Sequence, residues 1–107
     1  MGRYLFQGSY SVDGIKGVLK EGGTGRRAAV EAALKSLGGK LEGFYYGFGE
    51  TDVYAIVDGI DNTTAAAFSM GIASTGGLHS VKTTVLMTPE EIDAAGKKTM
   101  SYRAPGR

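Results

Sequence analysis

The segment Val53–Val57 is the most constraining feature of this sequence, because it combines the composition of a β-strand with apolar side chains on both of its faces. Successive side chains of a strand point to opposite faces of the sheet. Tyr54 and Ile56 therefore lie on one face, and the other three residues lie on the opposite face. A sheet that is covered on one side only normally alternates apolar and polar residues. We therefore expect both faces of this sheet to be covered.

Two other predicted strands have the same property. In the strand predicted over Arg3–Tyr10, Leu5 lies on the face opposite to its aromatic neighbours Tyr4 and Phe6. In the strand predicted over Lys40–Phe48, Tyr45 lies on the face opposite to Phe44 and Tyr46. Helices can cover one face, and the other would expose an apolar patch of roughly several hundred Å², which is typical of an interaction surface. The simplest cover is a second copy related by a two-fold axis. We expect a homodimer or higher homo-oligomer; the alternative is a lone chain whose second face is aromatic and partly wet.

The order of the predicted elements indicates the fold class. Strand, helix, strand, strand, helix and strand follow one another, over Arg3–Tyr10, Arg26–Leu37, Lys40–Phe48, Asp52–Asp58, a helix from Asp61 or Asn62 to Ser74, and Leu78–Met87. This is the βαββαβ order of ferredoxin-like α+β folds. Right-handed crossovers then place both helices on one face of a four-stranded antiparallel sheet, with the first and third strands in the centre.

Three shorter signals complete the expected organisation. A short helical turn is predicted over Ile15–Leu19, and Thr24 is predicted to cap the first long helix after a glycine-rich break. The sequence Thr88-Pro89-Glu90-Glu91 is typical of a helix start, and this helix should end near Gly96. Residues 1–96 are therefore predicted to form one domain, and residues 97–107 a flexible basic tail.

Composition excludes several classes of function. The 107 residues contain no cysteine, so disulfides, thiolate metal sites and cysteine nucleophiles are absent, which fits a reducing cytoplasm. A formal charge of +1 gives no global field to attract nucleic acid or an anionic membrane, and we expect neither as a partner. Neither a metal-ligand cluster nor a cofactor fingerprint is visible, so no metal and no cofactor are expected.

Several short motifs resemble those of the GYD-domain family. They lie at Leu37–Leu41, at Gly49–Val57, at Asp13–Lys16, and at Val81–Val85 followed by Thr88–Glu91. The resemblance covers roughly residues 3–95 and implies a small dimeric α+β barrel protein whose function is largely unassigned. The chain departs from the family at its naming motif, where Thr51 stands in the usual tyrosine position. The resemblance therefore implies fold and pairing but no chemistry.

His79 and Asp52 are the candidate catalytic residues. His79 is the only histidine, and histidine is the side chain that by default titrates near neutral pH. Asp52 opens the third strand and could orient His79 or a ligand at a cavity mouth. The structural alternatives are a strand-end histidine bonded to a loop carbonyl, and an aspartate that accepts backbone N–H bonds in the turn Gly49–Thr51.

Two further groups are candidates for binding. Tyrosine combines a large contact area with a polar tip and suits both ligand pockets and interfaces; the three candidates are Tyr45, Tyr46 and Tyr54. A glycine-rich segment that enters a helix N-terminus favours an anion, and its candidates are Thr24, Arg26 and Arg27. A plain surface loop is the alternative for this segment.

Three functions remain open from the sequence. The chain could be a homo-oligomeric module that binds a small ligand in a mostly apolar cavity enclosed by its sheets. It could be a cofactor-independent oxygenase or isomerase of a small hydrophobic substrate, which requires His79 and Asp52 to converge on a cavity. It could also be an assembly protein, which predicts a sheet interface without any cavity.

Overall fold

Four strands and four helices follow one another in the computed structural model, which describes residues 1–107. They are β1 (Gly2–Tyr10), α1 (Val12–Glu21), α2 (Gly23–Ser36), β2 (Lys40–Tyr46), β3 (Val53–Ile60), α3 (Asn62–Ser74), β4 (Leu78–Leu86) and α4 (Pro89–Gly96). The strands form one antiparallel sheet in the order β2-β3-β1-β4. The predicted α+β class, the ferredoxin-like order and the central position of the first and third strands are confirmed.

The core lies between one face of the sheet and the helices. Tyr4 and Phe6 of β1 are paired with Val57 and Ala55 of β3, and all four side chains are buried. The ring of Phe68 in α3 packs edge-on against Phe6, with 4.8 Å between ring centroids. Each such large side chain contributes about 1.5–3 kcal/mol on burial. The remaining buried members of this core are Leu34, Ile60 and Ala65.

The opposite face of the sheet, here called the open face, is also apolar at its centre. The register pairs Leu5 with Ile56 across β1 and β3, and Tyr45 with Tyr54 across β2 and β3. These four side chains alternate with the buried ones, so they point away from the helices. The helices that contact the sheet do so from the core side, and α4 makes no substantial contact with the sheet. The apolar character of both faces, expected from the sequence, is confirmed.

The segment between β1 and α2 differs from the prediction. Ser11 caps a full helix, α1, by accepting a hydrogen bond from the backbone N–H of Gly14 at 3.0 Å. The expected glycine-rich loop is absent, because Gly22 alone, with φ of 82°, separates α1 from α2. Glycine tolerates this left-handed conformation, so one residue is enough to redirect the chain. Thr24 lies inside α2, and its side chain caps nothing.

The caps of the later helices follow the sequence. Asp61 caps α3 by accepting a hydrogen bond from the N–H of Thr64 at 2.8 Å, and this bond lowers the pKa of the Asp61 carboxyl. Thr88 and Glu91 form the reciprocal capping box of α4 that the sequence predicts.

Residues beyond Gly96 form neither helix nor strand. None of the helices combines the length and apolar character needed to cross a membrane.

Substituting Gly14 should destabilise the fold, because a Cβ there would collide with the carbonyl oxygen of Gly77. We expect Gly14→Ala to lower the free energy of unfolding by about 1–3 kcal/mol. Gly17, on the same helix, has open space around its Cβ position. Gly17→Ala should therefore raise stability by about 0.5–1 kcal/mol through helix propensity. Urea denaturation of both variants measures the difference, and equal stability would contradict the close approach of α1 to Gly77.

Candidate ligand-binding cavity

An apolar cavity of about 260 Å³ lies between the core face of the sheet and helices α1, α2 and α3. Its floor comes from all four strands. The side chains of Phe6, Phe44, Val53 and Ala55 line it together with Val81. The register places these side chains on the same face as the core, so the cavity continues the core rather than interrupting the open face.

The cavity exists because α2 and α3 stand apart. Helix α2 contacts β2, α3 contacts β4 and β1, and the two helices make little contact with each other. Val30 and Ala33 form the wall on the α2 side, and Phe68 and Ile72 form the wall on the α3 side. Small residues of α1, including Gly17, close one end. The space over the central strands is therefore bounded by helices without being filled by their side chains.

The charged side chains of the cavity lie at the end where α1 meets α2. Tyr10, Glu21 and Arg26 line this end. The Nη1 atom of Arg26 lies 3.4 Å from Oε2 of Glu21, and the two side chains are 34% and 48% exposed. Gly22 positions the pair, because its left-handed backbone turns α2 back against the last residue of α1. The only ion pair that borders the cavity is therefore partly exposed to solvent.

Tyr10 is held at this end by Asp52. The backbone N–H of Tyr10 donates to Oδ2 of Asp52 at 2.9 Å, and the N–H of Asp52 donates to the carbonyl of Gly8 at 2.9 Å. The carbonyl of Asp52 accepts from the N–H of Gly47 at 2.9 Å. Asp52 thus fastens the ends of β1 and β3 together. Its carboxylate accepts a backbone N–H, but from Tyr10 in β1 and not from the turn Gly49–Thr51 that the structural alternative named.

The phenol of Tyr10 stays protonated over a wide pH range. Burial raises the pKa of Tyr10 to about 12, and the neighbouring phenol of Tyr46 adds to the rise. The positive charge of Arg26 acts in the opposite direction. Tyr10 is therefore a neutral group with a hydroxyl proton, beside a cation, at the polar end of an apolar cavity.

His79 and Asp52 are not brought together as a catalytic pair. His79 lies in β4 where the pairing with β1 is irregular, between Ser80 opposite Ser9 and Leu78 opposite Tyr10. Its side chain is exposed, does not line the cavity and makes no hydrogen bond to Asp52. A catalytic role for either residue stays a prediction, without a geometric arrangement that supports it.

The three tyrosines predicted to contact a ligand occupy two different faces. Tyr45 and Tyr54 are neighbours on the open face, whereas Tyr46 lies on the core face. The hydroxyl of Tyr46 donates to the carbonyl of Gly23 at 3.1 Å, and its ring lies 5.4 Å from that of Phe44. None of the three lines the cavity, so Tyr46 supports its polar end from outside.

Of the three residues predicted to bind an anion, Arg26 alone reaches the cavity. Thr24 and Arg27 are exposed on α2 and lie outside the cavity. Tyr10 was not among the candidates predicted from the sequence. Strand alternation could have indicated it, because Tyr10 is in phase with the core residues Tyr4 and Phe6. No group of three or more His, Asp or Glu side chains is arranged to hold a metal ion.

The fold and the position of the cavity define an α+β protein with one helix-covered sheet face and a cleft over its central strands. The GYD domain family model matches residues 4–95. The chain therefore belongs to the GYD domain family. No curated protein matches the chain, so the assignment rests on the family model.

The raised pKa of Tyr10 predicts a pH dependence of stability. A tyrosine in the unfolded chain has a pKa of about 10, whereas Tyr10 in the folded protein has a pKa of about 12. The unfolded chain loses this proton first, so the associated stability is fully present below about pH 10 and is lost as pH rises through about 12. Urea unfolding at about pH 9 and about pH 11 should therefore show a smaller loss of stability in Tyr10→Phe than in the wild type. An identical loss in both proteins would contradict the burial of this phenol.

Proposed function

We propose that this GYD-family protein is a homo-oligomeric module that binds a small, mostly apolar molecule in the cavity between its sheet and helices. The apolar cavity of about 260 Å³ is the observation that carries the proposal. A dry engineered cavity of about 150 Å³ binds benzene, so this space suits a ligand somewhat larger than a single ring. The polar groups at one end would orient such a ligand, as a few polar groups do in most ligand sites.

The cavity belongs to one protomer. The sequence predicted a cavity between the sheets of two copies, lined by tyrosines. The cavity of the protomer is a different one, on the helix side, and is lined chiefly by phenylalanine and aliphatic residues. Its floor residues Phe6 and Ala55 point away from the open face. A partner on the open face would therefore leave the cavity accessible.

The open face is the proposed site of self-association. Leu5 and Ile56 form its apolar centre, and Tyr45 remains 63% exposed in the protomer. Charged residues border this centre, including Arg3 and Asp58, which form an ion pair with 3.7 Å between Nε of Arg3 and Oδ1 of Asp58. An apolar centre with a polar rim is the usual composition of a protein interface. A second copy of the same face, related by a two-fold axis, satisfies this arrangement without further components.

The oxygenase or isomerase alternative lacks comparable support. It depends on His79 and Asp52 acting together, and the two side chains share neither a hydrogen bond nor the cavity. The assembly alternative predicts a sheet interface without a cavity, and it gives no role to the separate space on the helix side of the sheet. Residence in the cytoplasm, which the lack of cysteine suggests, is part of the proposal.

Indole, a neutral bicyclic molecule, tests the binding function. We expect saturable binding by isothermal titration calorimetry, because the cavity exceeds the size that accommodates benzene. Ala33→Phe places a ring in the cavity wall and should weaken indole binding by at least about tenfold, since the ring occupies the ligand volume.

Ala32→Phe is the matched control for the indole experiment. Ala32 is the preceding residue of α2, is exposed and does not line the cavity, so its substitution should leave the affinity unchanged. Absence of binding to the wild type, or equal affinity in both variants, would refute the cavity as the binding site.

Sedimentation equilibrium tests the self-association. We expect the wild type to sediment at a multiple of its 11.2 kDa chain mass at micromolar concentration. Ile56→Lys places a charge at the centre of the open face and should shift the protein to the monomer, because burying an unpaired charge opposes association. Met70→Lys, on the exposed side of α3, should remain associated. A monomeric wild type would defeat the proposed pairing.

A further inference from the structure

The cavity is chemically asymmetric. Along its floor and both helical walls the lining is dominated by aromatic, aliphatic and small residues, whereas its charged residues, Glu21 and Arg26, stand together at the α1–α2 end. Tyr10 adds a phenol at the same end. A ligand that fills this space presents an apolar body to most of the cavity and one terminus to these three side chains.

Arg26 has hydrogen-bonding capacity that the protein leaves unused. A guanidinium carries five N–H donors, and Arg26 makes one side-chain hydrogen bond, to Glu21 at 3.4 Å. This distance is long for a charge-assisted bond, which is usually near 2.7–2.9 Å. Both side chains are partly exposed, and partly exposed ion pairs are weak. Glu21 is therefore a partner that a better-placed acceptor can displace.

The backbone beside Arg26 also favours negative charge. The N–H groups of Gly23, Thr24 and Gly25 open α2 and make no hydrogen bond within the protein. The first turn of α2 contains no acidic residue, and no side chain caps it. The positive end of the helix dipole and the charge of Arg26 therefore lie at the same end of the cavity.

Tyr10 supports the same polarity. Its phenol remains protonated well above neutral pH, because burial raises its pKa to about 12. A protonated phenol can donate a hydrogen bond to an acceptor oxygen. Arg26 thus presents donors at this end, Tyr10 adds a neutral phenol that also interacts with Tyr46, and Glu21 is the charged acceptor that competes with a ligand for Arg26.

We infer that the ligand of this cavity is an organic carboxylate with a compact apolar body, whose carboxylate replaces Glu21 at Arg26. This inference rests on the proposed binding function and specifies its ligand class. A carboxylate matches the fork of a guanidinium and can accept two parallel hydrogen bonds from it. Glu21 is the last residue of α1 and is half exposed, so its carboxylate can turn to water when the ligand binds.

A matched pair of ligands tests the head group. The probes are 3-phenylpropanoate and 3-phenylpropanamide, which have the same shape and differ in charge. We expect calorimetry on the wild type to show at least about tenfold tighter binding of the carboxylate, because its hydrogen bonds to Arg26 are charge-assisted. The preference should shrink at about 1 M salt, because the ion pair is partly exposed and is screened.

Arg26→Gln is the decisive variant. It should bind the carboxylate at least about tenfold more weakly than the wild type, because the charge-assisted hydrogen bonds are lost. The neutral amide makes no charge pair with Arg26, so its affinity should change much less. Lys35→Gln removes one positive charge from the other end of α2, outside the cavity, and should keep the preference of the wild type. Retained indole binding by Arg26→Gln shows that its cavity is intact.

The outcomes separate this inference from the proposed function. Equal binding of both probes by the wild type, tighter binding of the amide, or a preference that survives in Arg26→Gln overturns the carboxylate inference while indole binding still stands. Binding of indole but of neither probe does the same. If the wild type binds neither indole nor the two probes, the cavity is no ligand site and both proposals fall.

Discussion

The fold depends on a sheet whose two central strands are apolar on both faces. The chain supplies three helices that contact this sheet, all from one side, and two of them, α2 and α3, pack against Phe6 and Val57 to form the core. Leu5 and Ile56 remain on the other side, and no helix of the protomer covers them. Burial of apolar surface is the dominant favourable term in folding and in most association. The same sequence property therefore sets the packing of the protomer and is the basis of the proposed self-association.

The cavity follows from how the helices are distributed over the sheet. Because α2 lies over β2 and α3 over β4 and β1, the helices cover the central strands incompletely, and small residues of α1 line one end of the remaining space. Local backbone geometry then supplies the polar end. Gly22 turns α2 so that Arg26 meets Glu21, and Asp52 holds the backbone of Tyr10 beside them.

Most of the architecture could be predicted from the sequence, because it follows from short-range rules. Alternation of side chains located the strands and assigned Ile56 and Ala55 to opposite faces. The capping box at Thr88 located α4, because cap and helix lie within a few residues of each other. The junction of α1 and α2 was missed, since a cluster of glycines is typical of a loop, whereas here only Gly22 leaves helical geometry.

The candidate site was less predictable than the fold. Asp52 and Tyr10 are 42 positions apart in sequence, and their hydrogen bond depends on the register of β1 against β3. The cavity itself is a space between helices, and no local sequence pattern encodes the distance between α2 and α3. Arg26 was identified as a candidate for anion binding through its place near a helix N-terminus, but its position beside an apolar cavity required the tertiary structure.

The separation of α2 from α3 has a consequence for motion. Each helix contacts its own region of the sheet, and the two helices make little direct contact with each other. A small sideways displacement of one helix along the sheet therefore widens the space between the two helices, because few contacts between them oppose it. Exchange of the proposed ligand would then require only a local motion of the native state and no global unfolding.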